Sequence, residues 1–209
     1  MALDRQIVRN VGHKWWSAFR SETDIRPGMR GTLARLRRSE NALEALLEDE
    51  TFTLFRDLNL ISRDKFKSDE GYWSAATPEL SRVAVLASVL SHVRKHDDTP
   101  FGRALGPSKN GEGAKLKPLR LARLLAARGD DEIRDQFRRA VQLLGGTANV
   151  RDLAWLILAW DRDEIGDRAR TLFAFAYHDA AAHAPAADDF PDDAAPTDSD
   201  AHHVSTPSN

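Results

Sequence analysis

The sequence contains no cysteine, which removes disulfide scaffolds, thiolate nucleophiles, zinc ribbons and iron–sulfur clusters together. Long apolar runs are missing as well. The two longest, Leu153–Trp160 and Leu172–Tyr177, fall far short of the roughly 20 residues that a membrane-crossing helix needs. The opening MALDRQIVRN carries Asp4, Arg5 and Arg9 and leaves no apolar stretch for a signal peptide. We therefore expect a cytoplasmic protein with no membrane partner. Glycine and proline number only 12 and 9, and no strand-like alternation of apolar and polar residues is convincing. With hydrophobic residues at 42% and charged residues at 30%, and Ala, Leu, Arg and Glu prominent, the chain reads as globular and all-α.

Cations are also missing from one end. All 30 Lys and Arg lie at or before Arg170, against 25 acids, so the body carries +5. The last 31 residues hold seven aspartates and no Lys or Arg. A net charge of −2 therefore averages a mildly basic body with an acidic tail. The basic charge is concentrated twice: six arginines against two acids in residues 20–38, and six Lys or Arg against one Glu in residues 103–123.

Spacing organises the body into helices. Leu3, Ile7, Val11, Trp15 and Phe19 form one stripe of a helix over residues 3–19, with Trp15-Trp16 as core area. Pro27-Gly28 breaks the chain, and a short basic helix follows through Arg38. Ser39 could cap another helix holding Leu43, Leu46 and Leu47, and residues 59–77 read as polar and irregular. Thr77-Pro78-Glu79 starts a helix whose buried stripe is Leu80, Val83, Ala84, Ala87, Leu90 and Val93. Asp97–Gly113 is rich in turn residues and marks a boundary. We accordingly expect a two-lobed helical bundle, with lobes at 1–100 and 101–182 and a disordered acidic tail at 183–209. In the second lobe Pro118 opens a helix that Gly129 closes. Asp130 caps the next, which stops at Gly145-Gly146. Asn149 caps a third, and a last helix spans roughly 162–182.

Catalytic signatures are scarce. Gly106 and Gly111 have phosphate-loop spacing, but Glu112-Gly113 follows where Lys-Ser/Thr is needed. His92 and His96 stand at i, i+4, a spacing that can chelate a metal from one helix face, yet Val93-Arg94-Lys95 lies between them, and both read as surface histidines. His96-Asp97 matches the doublet of helical metal-dependent phosphohydrolases, for which His13 and Asp152 would have to supply the remaining ligands. No Gly-x-Ser-x-Gly elbow is present. We expect no enzyme activity, no metal and no cofactor.

The arginines carry more information. Leu121, Leu124 and Leu125 share an arc from which Arg120 and Arg123 are excluded. Ile133, Phe137, Ala140, Val141 and Leu144 form another, with Arg138 and Arg139 away from it. Arg30, Leu33 and Arg37 share a side, so cations interrupt an apolar stripe. From the residues alone these are either solvated helix faces or phosphate-binding surfaces, since guanidinium forks match phosphate oxygens and gain affinity by counterion release. Sparse aromatics favour backbone contact over base stacking. A helical DNA-binding regulator would need a tight helix-turn-helix, and the helix around Arg134–Ala140 lacks the short turn to its neighbour.

Taken in order, the motifs resemble the CasB family, the small subunit of the type I-E CRISPR Cascade complex. The resemblance spans about residues 10–178. It rests on Trp15-Trp16, Leu36-Arg37-Arg38 after Gly28-Met29-Arg30-Gly31, and Phe101-Gly102-Arg103-Ala104-Leu105-Gly106. Leu119-Arg120-Leu121-Ala122-Arg123-Leu124-Leu125, Phe137-Arg138-Arg139 with Leu143-Leu144, Leu153–Trp160 and Tyr177 continue it. It implies a non-catalytic, two-lobed helical subunit, present as two copies beside the other Cascade subunits with their guide RNA. The family is thought to contact target DNA and the displaced single strand, stabilising the R-loop. Carried onto matching positions, the nucleic-acid contacts are Arg30, Arg37, Arg38, Arg103, Arg120, Arg123, Arg138 and Arg139. Lys109, Lys115 and Lys117 join them on local charge alone. The acidic tail lies outside the resemblance.

Overall fold

The computed structural model describes residues 4–20, 25–66, 79–107 and 113–179, with side chains absent from the description over 60–66. The expected tail at 183–209, Thr77-Pro78 and Lys109 lie outside the described residues. The all-α expectation is met. Ten helices occupy the described residues: α1 Arg5–Ala18, α2 Met29–Arg38, α3 Ala42–Ala45, α4 Asp49–Phe66 and α5 Leu80–Ser91, then α6 Phe101–Leu105, α7 Pro118–Ala126, α8 Asp130–Leu143, α9 Val150–Ala159 and α10 Asp163–His178. One parallel pair of two-residue strands, β1 Lys95–His96 and β2 Thr147–Ala148, is the departure from pure helix. It ties the loop after α5 to the loop after α8, where Arg94 and Lys95 both donate to the Gly146 carbonyl at 2.7 and 3.2 Å. None of the helices among the described residues is long and apolar enough to cross a membrane.

Helix α5 is the axis of the packing. Every residue from Arg82 to Ser91 is buried, because α2, α3, α4, α8 and α9 cover it from all sides. Around it, α1 lies along α9 and α6 along α10. The buried apolar cluster runs without interruption from Val8 to Tyr177. Phe101, Phe137, Trp160 and Phe173 meet edge-on, stacked or tilted at centroid distances of 4.9–6.2 Å. Two glycines set the closest approaches. A Cβ on Gly102 would stand 2.5 Å from the Phe173 carbonyl oxygen, and one on Gly12 would stand 2.5 Å from the Ala154 Cβ. The Phe-Gly-Arg-x-Leu-Gly element thus forms α6, and its glycine lets α6 press onto the backbone of α10.

Local boundaries differ from expectation in instructive ways. Ser39 caps nothing at its C-terminal side. Its hydroxyl donates to the Leu36 carbonyl at 2.8 Å and meets the Ser88 hydroxyl at 3.2 Å, and Asn41 caps α3 by accepting from the Glu44 N–H. Residues 59–66, read as irregular, continue α4. Leu43 and Leu47, placed by the sequence on the helix after Ser39, are 72% and 82% exposed. Gly129 stands at the N-cap of α8 instead of Asp130, and the Asp130 carboxylate is engaged elsewhere.

That engagement is an ion triad inside the fold. Arg82 reaches Asp130 at 2.7 Å and Asp161 at 2.8 Å, and the Gly129 N–H also donates to Asp161 at 3.1 Å. The partnership with Arg82 holds the Asp161 carboxyl below its ordinary value against the opposing effect of burial. One guanidinium therefore joins α5 to the start of α8 and the α9–α10 turn. Arg82→Ala leaves two carboxylates without their cation and should cost about 3 kcal/mol of unfolding free energy, read from urea unfolding followed by circular dichroism at pH 7. A loss under about 1 kcal/mol would mean that solvent already serves the two acids.

Candidate nucleic-acid interface

The arginines singled out by sequence fall into two groups in space. The first surrounds the loop after α5. The C-terminal carbonyls of a helix lack intrahelical donors, and other elements supply them here. The Arg37 Nε donates to the Ser91 carbonyl at 2.8 Å. The Trp16 indole donates to the Val93 carbonyl at 3.0 Å, which also accepts from Arg20. This explains the cation in the apolar stripe of α2: Leu33 is core, and Arg37 crosses from α2 to cap α5. Arg134, which the sequence reading passed over, is buried on α8 and donates to the Ser39 carbonyl at 3.1 Å, bringing α8 against the end of α2.

His92 sits where these side chains converge. Its Nε2 is buried without a partner among the described residues. The sequence placed His92 and His96 on one helix face as surface histidines. The structure ends α5 at Ser91 and leaves His92 half-buried in the loop that follows. Desolvation, then the charges of Arg138, Arg37 and Arg134, push its pKa down to about 4. Arg94 in turn lowers Arg37, after the larger effect of that group's own burial. Asp135 is the acid paired with this group, 2.8 Å from Arg134 and 3.6 Å from Arg138. Arg138, expected on the open face of α8, is only 29% exposed. Arg37 and Arg138 are thus brought together, while Arg38 and Arg139 lie beside them in solvent and Arg30 is exposed at the other end of α2.

The second group is on α7 and the segment that leads into it. Lys115, Lys117, Arg120 and Arg123 are all exposed, and none is in an ion pair with another described residue. Pro118 starts the helix, Lys117 offers no side-chain cap, and no acid stands in the first turn. Cations therefore stand at the positive end of the helix dipole with no acid to offset them, a combination that favours anions. Leu121 and Leu124 are buried and Leu119 is 66% exposed. Arg103 belongs to neither group: it lies on α6, 3.9 Å from Asp179.

The residues considered for a phosphohydrolase have other engagements. The His96 Nδ1 accepts the Val150 N–H at 3.2 Å, and its Nε2 faces Asp98 at 3.1 Å. His13 meets His96 edge-on at 4.8 Å between ring centroids. Asp152 accepts the Phe101 N–H at 2.8 Å, and burial pushes its carboxyl up. Among the described residues no group of three or more His, Asp or Glu is arranged to hold a metal ion.

His92 makes stability depend on pH in a stated direction. Its proton affinity is lower folded than unfolded, so below about pH 6.5 the unfolded chain gains a proton that the folded chain declines. Stability is therefore lost as pH falls from 6.5 toward 4. His92→Gln should flatten that segment of the stability profile, measured as urea midpoints of both proteins at pH 7, 5.5 and 4.5. Parallel profiles would show that the imidazole is solvated in the folded protein.

Comparison with known proteins adds one positive finding. The family model described as CRISPR-associated protein Cse2 matches residues 32–178. No curated protein and no solved structure matches the chain. The matched span runs from within α2 to the last residue of α10, and takes in both arginine groups while leaving Arg30 and Trp15-Trp16 outside. Since it covers well over half of the residues, the chain belongs to the Cse2 family, the CasB small subunit of type I-E Cascade, which is a non-catalytic structural subunit of that complex.

Proposed function

We propose that this chain, a Cascade subunit by family, acts in the cytoplasm without catalysis by holding nucleic acid backbone against its cationic faces and so prolonging the R-loop. Its partners in this reading are the other Cascade subunits with their guide RNA, a second copy of the chain, the target DNA and the displaced single strand. The observation that carries the reading is the exposed set Lys115, Lys117, Arg120 and Arg123 on α7 and the segment before it, without acidic partners among the described residues and inside the family match. Exposed Arg38 and Arg139 extend it, with Arg30 and Lys109 as further contacts. Arg37, Arg103 and Arg138 contribute charge while also serving the fold.

The energetics require little of each contact. Opening a protospacer exchanges one duplex for another of similar stability, so small biases decide the lifetime of the open state. Cations along the displaced strand release counterions and penalise re-annealing. No base needs to be read, because guide pairing supplies specificity, and α7 offers forks and point charges for phosphate with no aromatic ring between them.

Replacing Arg120, Arg123 and Arg139 together by Ala should shorten R-loop lifetime on a matched target. It should also reduce the salt slope of nucleic-acid binding by roughly one unit per lost contact. All three are exposed, so the melting temperature should hold, and gel filtration should show an intact complex. Unchanged lifetime and slope would move the track to Arg30 and Arg38, while loss of assembly would make these arginines protein contacts.

A further inference from the structure

Helix α10 ends beside the α7 cations. The Tyr177 hydroxyl donates to the Leu116 carbonyl at 2.6 Å, and Leu116 stands between Lys115 and Lys117. The chain continues past Asp179 with residues 180–209, which carry six aspartates and no Lys or Arg. Four of these bracket the one large aromatic of that segment, in Asp188-Asp189-Phe190-Pro191-Asp192-Asp193. The α7 face has the complementary composition. Lys117, Arg120 and Arg123 are exposed around Leu119, which is itself 66% exposed. Leu119 and Arg123 are neighbours at i, i+4, and Arg120 and Arg123 at i, i+3. The nine residues from Asp179 to Asp188 reach up to about 30 Å when extended, whereas Leu116 to Arg123 spans about 10 Å of helix. The segment is therefore long enough, and its exit point is adjacent.

We propose that Asp188–Asp193 docks on the α7 face of its own chain, its carboxylates on Lys117, Arg120 and Arg123 and Phe190 over Leu119, and that it competes there with the phosphates of nucleic acid. The competition rests on the nucleic-acid reading above; the docking does not. Each exposed ion pair is weak, but a short tether holds the segment at an effective concentration on the order of millimolar. Four aspartates with one aromatic contact suffice to occupy the face at low salt, and rising salt screens them. A polyanion with closer-spaced charge displaces the segment, while sparse anions do not. The docked segment thus sets a threshold for occupancy of α7.

Three proteins test this: the full chain, a chain lacking residues 184–209, and the full chain with Asp188, Asp189, Asp192 and Asp193 replaced by Asn. A labelled single-stranded oligonucleotide of arbitrary sequence is the probe. At 50 mM salt both altered proteins should bind about three- to tenfold more tightly than the full chain, and at 300 mM the advantage should fall below about twofold. Docking is read separately. Because the chain has no cysteine, Ala194→Cys provides a single spin-label position. Amide resonances of residues 115–123 should broaden at low salt, and should sharpen when the four aspartates are Asn. Equal affinities with unbroadened α7 resonances overturn the proposal. Broadening without any oligonucleotide binding supports the docking and overturns the nucleic-acid reading alone.

Discussion

Helix α5 has no face left for solvent, and that constraint organises the molecule. A helix apolar on one stripe can sit at a surface; one buried from Arg82 to Ser91 must be enclosed by others. Five helices from both sides of residue 100 do so, and each needs its own apolar stripe turned toward the same axis. The polar members of α5 then need partners inside the fold. Ser88 meets Ser39, Ser91 bonds back to the Ser88 carbonyl at 2.6 Å, and Arg82 takes two aspartates. The cations around the loop after α5 belong to the same enclosure. The end of α5 emerges into a loop that Arg37, Arg20 and Trp16 must serve with donors.

This arrangement explains why arginines in the chain divide by role. Arg82 and Arg134 are structural members of the interior, Arg37 and Arg138 stand half inside, and Arg120, Arg123 and Arg139 are outside. Membership of the Cse2 family rests on residues 32–178 as a whole. Most of the motif residues that carried the resemblance, among them Phe101, Gly102, Phe137, Trp160 and Tyr177, pack the core and keep α6 against α10.

Much of the fold was legible in the sequence, and the exceptions share a cause. Stripes at helical spacing placed α1, α8, α9 and α10, Asn149 marked the start of α9, and Gly145-Gly146 marked the stop after α8, where both glycines take positive φ. What stayed hidden were needs created by distant elements. Arg82 drew no attention in the sequence because its acids lie 48 and 79 residues further along. Residues 59–66 carry too few apolar positions to announce the end of α4. The exposed α7 cations were readable by helical phase alone, since the apolar arc of that helix is clean. Arg37, Arg134 and His92 were not, because the carbonyls and charges that fix them belong to other helices.

One feature of the first arginine group bears on how readily an anion could be received. Arg37 is anchored through its Nε to Ser91 and Arg38 through its Nε to the Ala34 carbonyl at 3.1 Å. Their rotamers are selected when the chain folds. Immobilising a long side chain at an interface costs about 0.5–1.5 kcal/mol of conformational entropy, and for these two most of that loss precedes any encounter. Lysine in their place would keep the charge but forfeit the anchoring fork, so the surface would attract an anion as strongly from a distance and hold it more loosely on contact.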